Sequence, residues 1–172
     1  MKNMHSRTLE TFYDTHALQY FDETVGVDMT EYYNRFLKYI PLPARIIDIG
    51  AGSGRDIKYF KGKGYEVEGI DASVELCKIA TEYTGIEVLC QRVQDWIPTK
   101  KYDGIWANAS LVHLYKKHFE ELVLRIDRVF TKEGVFFFSL KSGIKTGFDE
   151  RGRYFTNYLE QDVIKVIEEQ KT

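Results

Sequence analysis

The chain has 172 residues, of which 44% are hydrophobic, so it can build one domain with a substantial core but not two. A net charge of −2 gives no strong attraction to nucleic acid or anionic membranes, and no apolar run is long enough to cross a bilayer. The polar stretch 1–12 lacks a signal-peptide core, so we expect a cytoplasmic protein. Cys77 and Cys90 have no metal or redox spacing; we expect two small buried hydrophobic residues and no metal site.

Two amphipathic helices are predicted at the start of the chain. Apolar residues recur at helical spacing over 9–21 and again over 32–40, and Pro41 stops the second helix. Tyr13 and Tyr20 stand seven residues apart on one helical stripe, so both can point inward. Such a stripe is either a packed face or the wall of a pocket.

From residue 44 onwards, short apolar strands alternate with amphipathic helices. This alternation predicts a mostly parallel sheet with helices on both faces, which is a Rossmann-like, doubly wound α/β fold. The run 135–140 is apolar on both sides and is therefore expected to be a central strand. We predict strands near 45–49, 66–70, 86–89, 102–107 and 134–140, and helices near 54–62, 73–83, 116–130 and 160–170.

The segment 44–54 is the most informative part of the chain. A buried strand runs there into a turn with three alternate glycines, Gly50, Gly52 and Gly54. Glycine lets the backbone pass close to a ligand, and the next helix points its free N–H groups at that ligand. Asp48, at the end of the strand, would repel a pyrophosphate and favour a ligand that carries a sulfonium and an ammonium. The segment predicts a nucleoside site that tolerates positive charge.

This spacing resembles the first motif of the class I S-adenosylmethionine-dependent methyltransferases, in which an acidic residue precedes three alternate glycines. In that family, an acidic residue closing the next strand binds both ribose hydroxyls. Asp71 matches it, with Ala72 beside it. Such charge-assisted hydrogen bonds could contribute roughly 1.5–3 kcal/mol. The alternative is that Asp71 caps the helix that follows.

The resemblance implies cofactor contacts after the next two strands as well. Asp95 matches the carboxylate that accepts a hydrogen bond from the adenine amine, with Gln94 beside it and Trp96 as a wall of the ring pocket. The alternative is a simple turn with Trp96 in the core. Asn108 and Ala109 match the segment that runs beneath the methionine part of the cofactor.

The segment 149–158 closely resembles one that borders the substrate in small bacterial methyltransferases of the tellurite-resistance-like type. Lys141, Arg151 and Arg153 would then form a positive mouth suited to an anionic or carbonyl-bearing acceptor. The alternative is a solvated loop before a helix that Asn157 caps.

In the family, the N-terminal helices often fold over the cofactor. We therefore expect one domain in which a helical lid, 1–43, covers a core, 44–172, with Tyr13 and Tyr20 on the substrate side. His113 faces the same mouth and could act as a base or bind the substrate. A capping or packing role is the more common outcome for a histidine.

The predicted function is methyl transfer from S-adenosylmethionine to a small-molecule or metalloid acceptor by in-line displacement. The family's core continues into a final strand pair that this chain lacks, so a homo-oligomer or a partner chain is expected to cover the sheet edge. One alternative is a non-catalytic S-adenosylmethionine-binding subunit completed by such a partner. Another is a nicotinamide-dependent oxidoreductase, but its fingerprint needs one more residue among the glycines, and Asp48 opposes its diphosphate.

Overall fold

A five-stranded parallel sheet with helices on both faces carries the fold, as predicted. The computed structural model describes residues 4–169. The sheet strands are β1 (Arg45–Ile49), β2 (Glu66–Asp71), β3 (Val88–Cys90), β4 (Tyr102–Ala107) and β5 (Phe130–Phe138). They lie in the order β3-β2-β1-β4-β5. The helices are α1 (Met4–Thr15), α2 (Ala17–Thr24), α3 (Thr30–Leu37), α4 (Arg55–Gly62), α5 (Val74–Thr84), α6 (Lys116–Asp127) and α7 (Glu160–Glu168).

Two apolar clusters fill the space between the sheet and its helices. Successive side chains of a strand point to opposite faces, so β1 contributes Ile47 and Ile49 to one cluster and Ile46 to the other. The first cluster includes Phe119 of α6 and borders α7, and the second includes Phe36 of α3 and residues of α4 and α5. Burial on both faces explains why these strands are almost continuously apolar.

β5 is an edge strand, so the prediction of a central strand here was wrong. Phe136 and Phe138 pack into the cluster beneath α6 and α7, and Phe137 stacks on Trp106 with ring centroids 3.8 Å apart. Covered faces explain the apolar run, but only β4 pairs with β5, and no strand within residues 4–169 joins the sheet beyond it. Self-association over this edge stays a prediction, which light scattering can test.

The N-terminal region contains three helices instead of the predicted two. The predicted helix over 9–21 breaks at His16, whose φ of −111° and ψ of 18° are not helical. α3 belongs to the core, because Tyr33 and Phe36 are each only 3% exposed there. Of the helices in the described residues, α1 and α2 lie over the cavity described below, and the division into a lid of 1–43 and a core of 44–172 stays a prediction.

Two short strand pairs follow β5 and lead to α7. Parallel pairing joins β6 (Lys141–Ser142) to β9 (Asn157–Tyr158), and antiparallel pairing joins β7 (Gly147–Phe148) to β8 (Tyr154–Phe155). α7 begins after Leu159 without a side-chain cap, so the alternative role of Asn157 as a cap was wrong. No helix in the described residues is long and apolar enough to span a membrane.

The two cysteines differ in exposure. Cys77 is buried in α5, as predicted, whereas Cys90 is exposed. Cys90 ends β3, which forms the other edge of the sheet, and that position explains why the prediction of burial failed for it.

Candidate active site

A cavity of about 520 Å³ opens at the carboxyl ends of the sheet strands. The turns after β1, β2, β3 and β4 line it from below, and α1 and α2 lie over it. Its volume is typical of small-molecule sites, and open parallel sheets bind ligands at this edge. We use two names for its parts: the floor is Gly50, Gly52 and Asp71, and the roof is Tyr13, Tyr20 and His113.

The first two glycines of the turn form the cavity floor. The N–H of Gly52 donates to Oδ2 of Asp71 at 2.9 Å, which ties the turn after β1 to the end of β2. Gly52 has a φ of +53°, and a Cβ added there would lie 3.0 Å from the Tyr20 ring. The backbone therefore approaches the cavity as closely as the glycine pattern predicted.

Gly54 does not line the cavity, and its contact with the cofactor stays a prediction. It has a φ of +78°, and a Cβ added there would lie 2.8 Å from Cγ2 of Thr84 and 3.1 Å from Cβ of Ala80. Thr84 and Ala80 belong to α5. The third glycine therefore allows α4 to begin directly against that helix.

Asp71 lies at the end of β2 with its carboxylate against the cavity. Its Oδ1 accepts the N–H of Ser73 at 2.9 Å, and burial raises its pKa against the opposing effect of these backbone hydrogen bonds. The residue that caps α5 is Ser73, whose Oγ accepts the N–H of Leu76 at 3.2 Å. The capping role considered for Asp71 was therefore wrong.

Asp48 lies beneath the floor and does not line the cavity. Side chains alternate along β1, so Asp48 points away from the cavity wall that Ile49 lines. It is 1% exposed, its Oδ2 has no hydrogen-bond partner, and burial raises its pKa well above the usual range. Asp71 supplies the carboxylate of the floor, and direct attraction of a cationic ligand by Asp48 receives no support from this geometry.

A buried polar network lies on the same side of β1 as Asp48. Arg55 donates two hydrogen bonds to Asp56, at 2.6 and 3.0 Å, and Trp106 donates to the same carboxylate at 2.7 Å. The hydroxyl of Tyr33 donates to it as well. Arg55 also donates to the carbonyl of Thr24 at 3.2 Å, so this network fixes the end of α2 against the sheet.

The loop after β3 forms one end of the cavity. Gln94 and Asp95 line it, and their predicted contact with adenine stays a prediction. Trp96 does not line it; it is 4% exposed and packs in the apolar cluster beneath α6, so the core alternative was right. Arg125 of α6 holds the loop by donating to the carbonyls of Val93 at 3.2 Å, Gln94 at 3.0 Å and Trp96 at 2.6 Å.

Asn108 and Ala109 line the cavity after β4, and their predicted contact with the methionine part of the cofactor stays a prediction. Ala109 has a φ of +54°, a left-handed conformation that costs a residue with a Cβ about 1–2 kcal/mol. Its N–H donates to Oγ of Ser139 at 2.7 Å, and that hydroxyl donates to Oδ1 of Asn108 at 3.0 Å. Strained backbone held by such bonds is common at functional sites.

His113 joins the roof to the chain after β5. Its Nδ1 lies 2.6 Å from the carbonyl of Tyr154 and, because a carbonyl only accepts, Nδ1 carries the proton. Nε2 therefore accepts the hydroxyl of Tyr13 at 2.9 Å. Burial lowers the pKa of His113 to about 4, so the imidazole is neutral at pH 7. The ring of Tyr20 contacts that of Tyr13 with centroids 5.3 Å apart, so the tyrosine stripe is a pocket wall.

Comparison with known proteins identifies the family. A family model described as a methyltransferase domain matches residues 21–161. The chain belongs to this family. An uncharacterized methyltransferase of Staphylococcus carnosus (strain TM300) is 25% identical over 122 residues, covering 66% of this chain. The chain spans 59% of the length of that curated relative.

Solved methyltransferase structures share the fold. The 1,6-didemethyltoxoflavin-N1-methyltransferase of Burkholderia thailandensis, with 1,6-didemethyltoxoflavin and S-adenosylhomocysteine bound, superposes with a TM-score of 0.73 at 20% identity, covering 99% of this chain and 80% of that one. A SAM-dependent methyltransferase of Leishmania major gives 0.78 at 19% identity, covering 96% and 72%. The tellurite-resistance-like subtype stays a prediction.

The cations of the predicted positive mouth lie outside the cavity lining, and the mouth stays a prediction. Arg153 makes a salt bridge to Asp149 with contacts of 2.9 and 2.8 Å, and Arg151 is exposed. Lys141 is also exposed, with its ammonium 3.7 Å from the ring centroid of Phe155. None of the three cations is among the residues that line the cavity.

Two contacts that sequence reasoning missed fasten α1 across the cavity. Glu10 forms a salt bridge with Arg92, including a 3.0 Å contact between Oε2 and Nη2. Asp14 accepts the hydroxyl of Ser73 at 2.6 Å and the N–H of Glu75 at 3.2 Å. Glu10 and Arg92 are 82 residues apart, so no local motif could indicate their contact.

His118 also lines the cavity and was not predicted. It lies in the first turns of α6, and its buried Nδ1 has no hydrogen-bond partner. Its spacing from Tyr115 is the only signal in the sequence, since residues three apart share a helix face. Both side chains line the cavity, with ring centroids 5.8 Å apart.

Proposed function

We propose that this methyltransferase uses S-adenosylmethionine to methylate a small, uncharged molecule by in-line displacement. The observation that supports it most is the floor, where glycine backbone and the Asp71 carboxylate meet in one cavity. The floor has no room for a side chain at two of its positions. A Cβ added at Gly50 would lie 2.2 Å from Cβ of Ser110, and a Cβ added at Gly52 would lie 3.0 Å from the ring of Tyr20. The residues therefore fit a nucleoside bound against the backbone.

The cofactor's parts would be held by side chains already in place. Asp71 would accept hydrogen bonds from the ribose hydroxyls, and Ala72 lies beside it in the cavity wall. Asp95 and Gln94 would contact the adenine, and the turn at Asn108 would run beneath the methionine part. When bound, S-adenosylmethionine supplies a methyl group activated by its sulfonium.

The chain's own contribution is to enclose and orient the acceptor. The roof lies over the floor, and holding two reactants at near-attack distance can supply roughly 7–11 kcal/mol. Water is excluded by α1, which Glu10 and Asp14 fasten to the opposite wall. We infer that the acceptor lies between the roof and the turn at Asn108, on the substrate side expected for Tyr13 and Tyr20.

His113 would act as a hydrogen-bonding residue and would be a weak base. Both ring nitrogens are engaged, and burial lowers its pKa to about 4. A base works best when its pKa is near the operating pH. The site therefore favours an acceptor whose nucleophilic lone pair is available without deprotonation by the protein.

The charge of the cavity favours an uncharged acceptor over a metalloid oxyanion. Arg92 is the one arginine among the described lining residues, which include no lysine, and it pairs with Glu10. The non-catalytic subunit completed by a partner chain receives no support from the comparisons.

Calorimetry with S-adenosylhomocysteine and with NAD tests the proposal most directly. We expect the demethylated cofactor to bind and NAD not to bind, because the spacing of Gly50, Gly52 and Gly54 is one residue short of the dinucleotide fingerprint. Binding of NAD alone would overturn the assignment. Release of S-adenosylhomocysteine, followed over a set of uncharged, anionic and metalloid acceptors, then tests the acceptor class.

A further inference from the structure

The two cysteines face each other between α5 and β3. Cys90 lies two residues after Val88, so both side chains point to the same face of β3. Val88 and Cys77 belong to the same apolar cluster, which places the Cys77 thiol on that face too. The two side chains are also neighbours of one residue, because the Cys77 thiol donates to the Asp71 carbonyl and Cys90 pairs with Asp71 across the sheet.

Both cysteines contact Asp71 of the floor. The Cys77 thiol donates to the carbonyl of Asp71 with an Sγ to O distance of 3.4 Å. Cys90 is the direct neighbour of Asp71 across the β2–β3 pair. The same carbonyl accepts the N–H of Gln91 at 2.8 Å, and Gln91 lines the cavity. A change at the thiols would therefore reach both the floor and the loop after β3.

The two thiols differ in the way that a redox pair requires. Cys90 is exposed and open to a dissolved oxidant, whereas Cys77 is 5% exposed. Burial is the main reason that the pKa of Cys77 is raised, so this thiol stays protonated and unreactive until a partner is oxidised. Cys90 would react first and Cys77 would then resolve it.

We propose that Cys77 and Cys90 form a reversible disulfide that weakens cofactor binding at Asp71. A peroxide, as the two-electron oxidant, transfers an OH group to the Cys90 thiolate, so that the O–O bond breaks, Cys90 becomes a sulfenic acid and hydroxide leaves. Cys77 sulfur then bonds to Cys90 sulfur, and its proton leaves with the hydroxyl as water. A dithiol reductant reverses the reaction by exchange.

The expected consequence follows from the contacts of Cys77. A disulfide removes the thiol hydrogen from the Asp71 carbonyl and draws α5 toward the end of β3. The carboxylate of Asp71 accepts the N–H groups of Gly52 and Ser73, and Ser73 caps α5. The position of this carboxylate therefore changes when α5 moves. This consequence rests on the proposed function. We expect oxidation to weaken S-adenosylhomocysteine binding about tenfold.

The experiment treats the full chain with hydrogen peroxide and measures intact mass and S-adenosylhomocysteine affinity, before and after a dithiol reductant. The chain has only two cysteines, so an intramolecular disulfide appears as a monomer lighter by about 2 Da. Cys90→Ser, at an exposed position, should bind S-adenosylhomocysteine as tightly as the untreated dithiol protein does. It should lose both the mass change and the sensitivity of binding to peroxide. Cys77→Ala should also lose both.

The outcomes separate this inference from the proposed function. If peroxide gives no loss of about 2 Da in the folded monomer, the disulfide is refuted. If the disulfide forms and affinity is unchanged, or if peroxide weakens binding by Cys77→Ala relative to the untreated variant, control of cofactor binding by the disulfide is refuted. If the reduced protein does not bind S-adenosylhomocysteine, the cofactor assignment fails, and the mass alone decides whether the disulfide exists.

Discussion

The floor and the roof of the cavity are built in different ways. The floor comes from short, adjacent turns, and the contact that closes it, from Gly52 to Asp71, spans 19 residues. The roof depends on side chains far apart in the chain: Tyr13 and His113 are separated by 100 residues, and His113 and Tyr154 by 41. A sequence motif can therefore describe the floor, whereas only the fold brings the roof together.

Gly54→Ala should show the largest effect and tests where the floor ends. Left-handed strain and contact with Thr84 and Ala80 predict a loss of about 2–4 kcal/mol of unfolding free energy. Urea unfolding measures this loss, and the folded protein should retain its affinity for S-adenosylhomocysteine. Gly62→Ala is the matched control, because nothing lies within 4 Å of an added Cβ there.

A stable Gly54→Ala protein that no longer binds the cofactor would contradict the structure. It would restore Gly54 to the cofactor site, as the glycine motif alone predicted. The floor would then extend to the start of α4.

Asp71→Asn tests the floor itself. The amide keeps one acceptor oxygen but loses the charge and the second acceptor, so we expect cofactor affinity to fall roughly 10- to 100-fold. Calorimetry with S-adenosylhomocysteine measures it, with the exposed Asp127→Asn as control. Unchanged affinity in a folded variant would leave Asp71 only its structural contacts to Gly52 and Ser73.

The fold and most of the floor were predictable because their signals are local. Strand and helix periodicity placed all five sheet strands, and the glycine turn with Asp71 indicated the cavity. The errors have two physical causes. An apolar sequence shows that both faces of a strand are covered, but it does not show whether both backbone edges of the strand are paired. For this reason β5 was predicted in the centre of the sheet, and Cys90 of the other edge strand was predicted to be buried.

The second cause is side-chain direction at the ends of strands and in loops. Strand alternation turns Asp48 away from the cavity, although its spacing from the glycines matches the family motif. Trp96 follows two residues that line the cavity, yet it points into the core. Lys141 and Arg153 were expected on the substrate side. Lys141 instead contacts the ring of Phe155, and Arg153 pairs with Asp149, so neither lines the cavity.

Tyr13→Phe tests whether the roof is a connected structure. Removing the hydroxyl leaves Nε2 of His113 without its hydrogen bond, so we expect a loss of about 1 kcal/mol in unfolding free energy. Denaturant unfolding measures it, and Tyr39→Phe, at a site 61% exposed, is the control that should change nothing. Equal stability of the two variants would show that the roof is not held by this contact.

The smallest expected effect is the dependence of stability on pH that His113 introduces. Its pKa is about 4 when folded, below the ordinary value of 6.5, so between these limits the unfolded chain binds more protons. Stability must therefore fall as pH drops from 6.5 towards 4, and this contribution is constant above 6.5. His113→Gln should reduce the dependence of the melting temperature on pH over that window. His16→Gln, at an exposed site, should leave it unchanged. If both variants keep the wild-type slope, His113 is not held neutral by the fold, and a role as base in the roof becomes possible again.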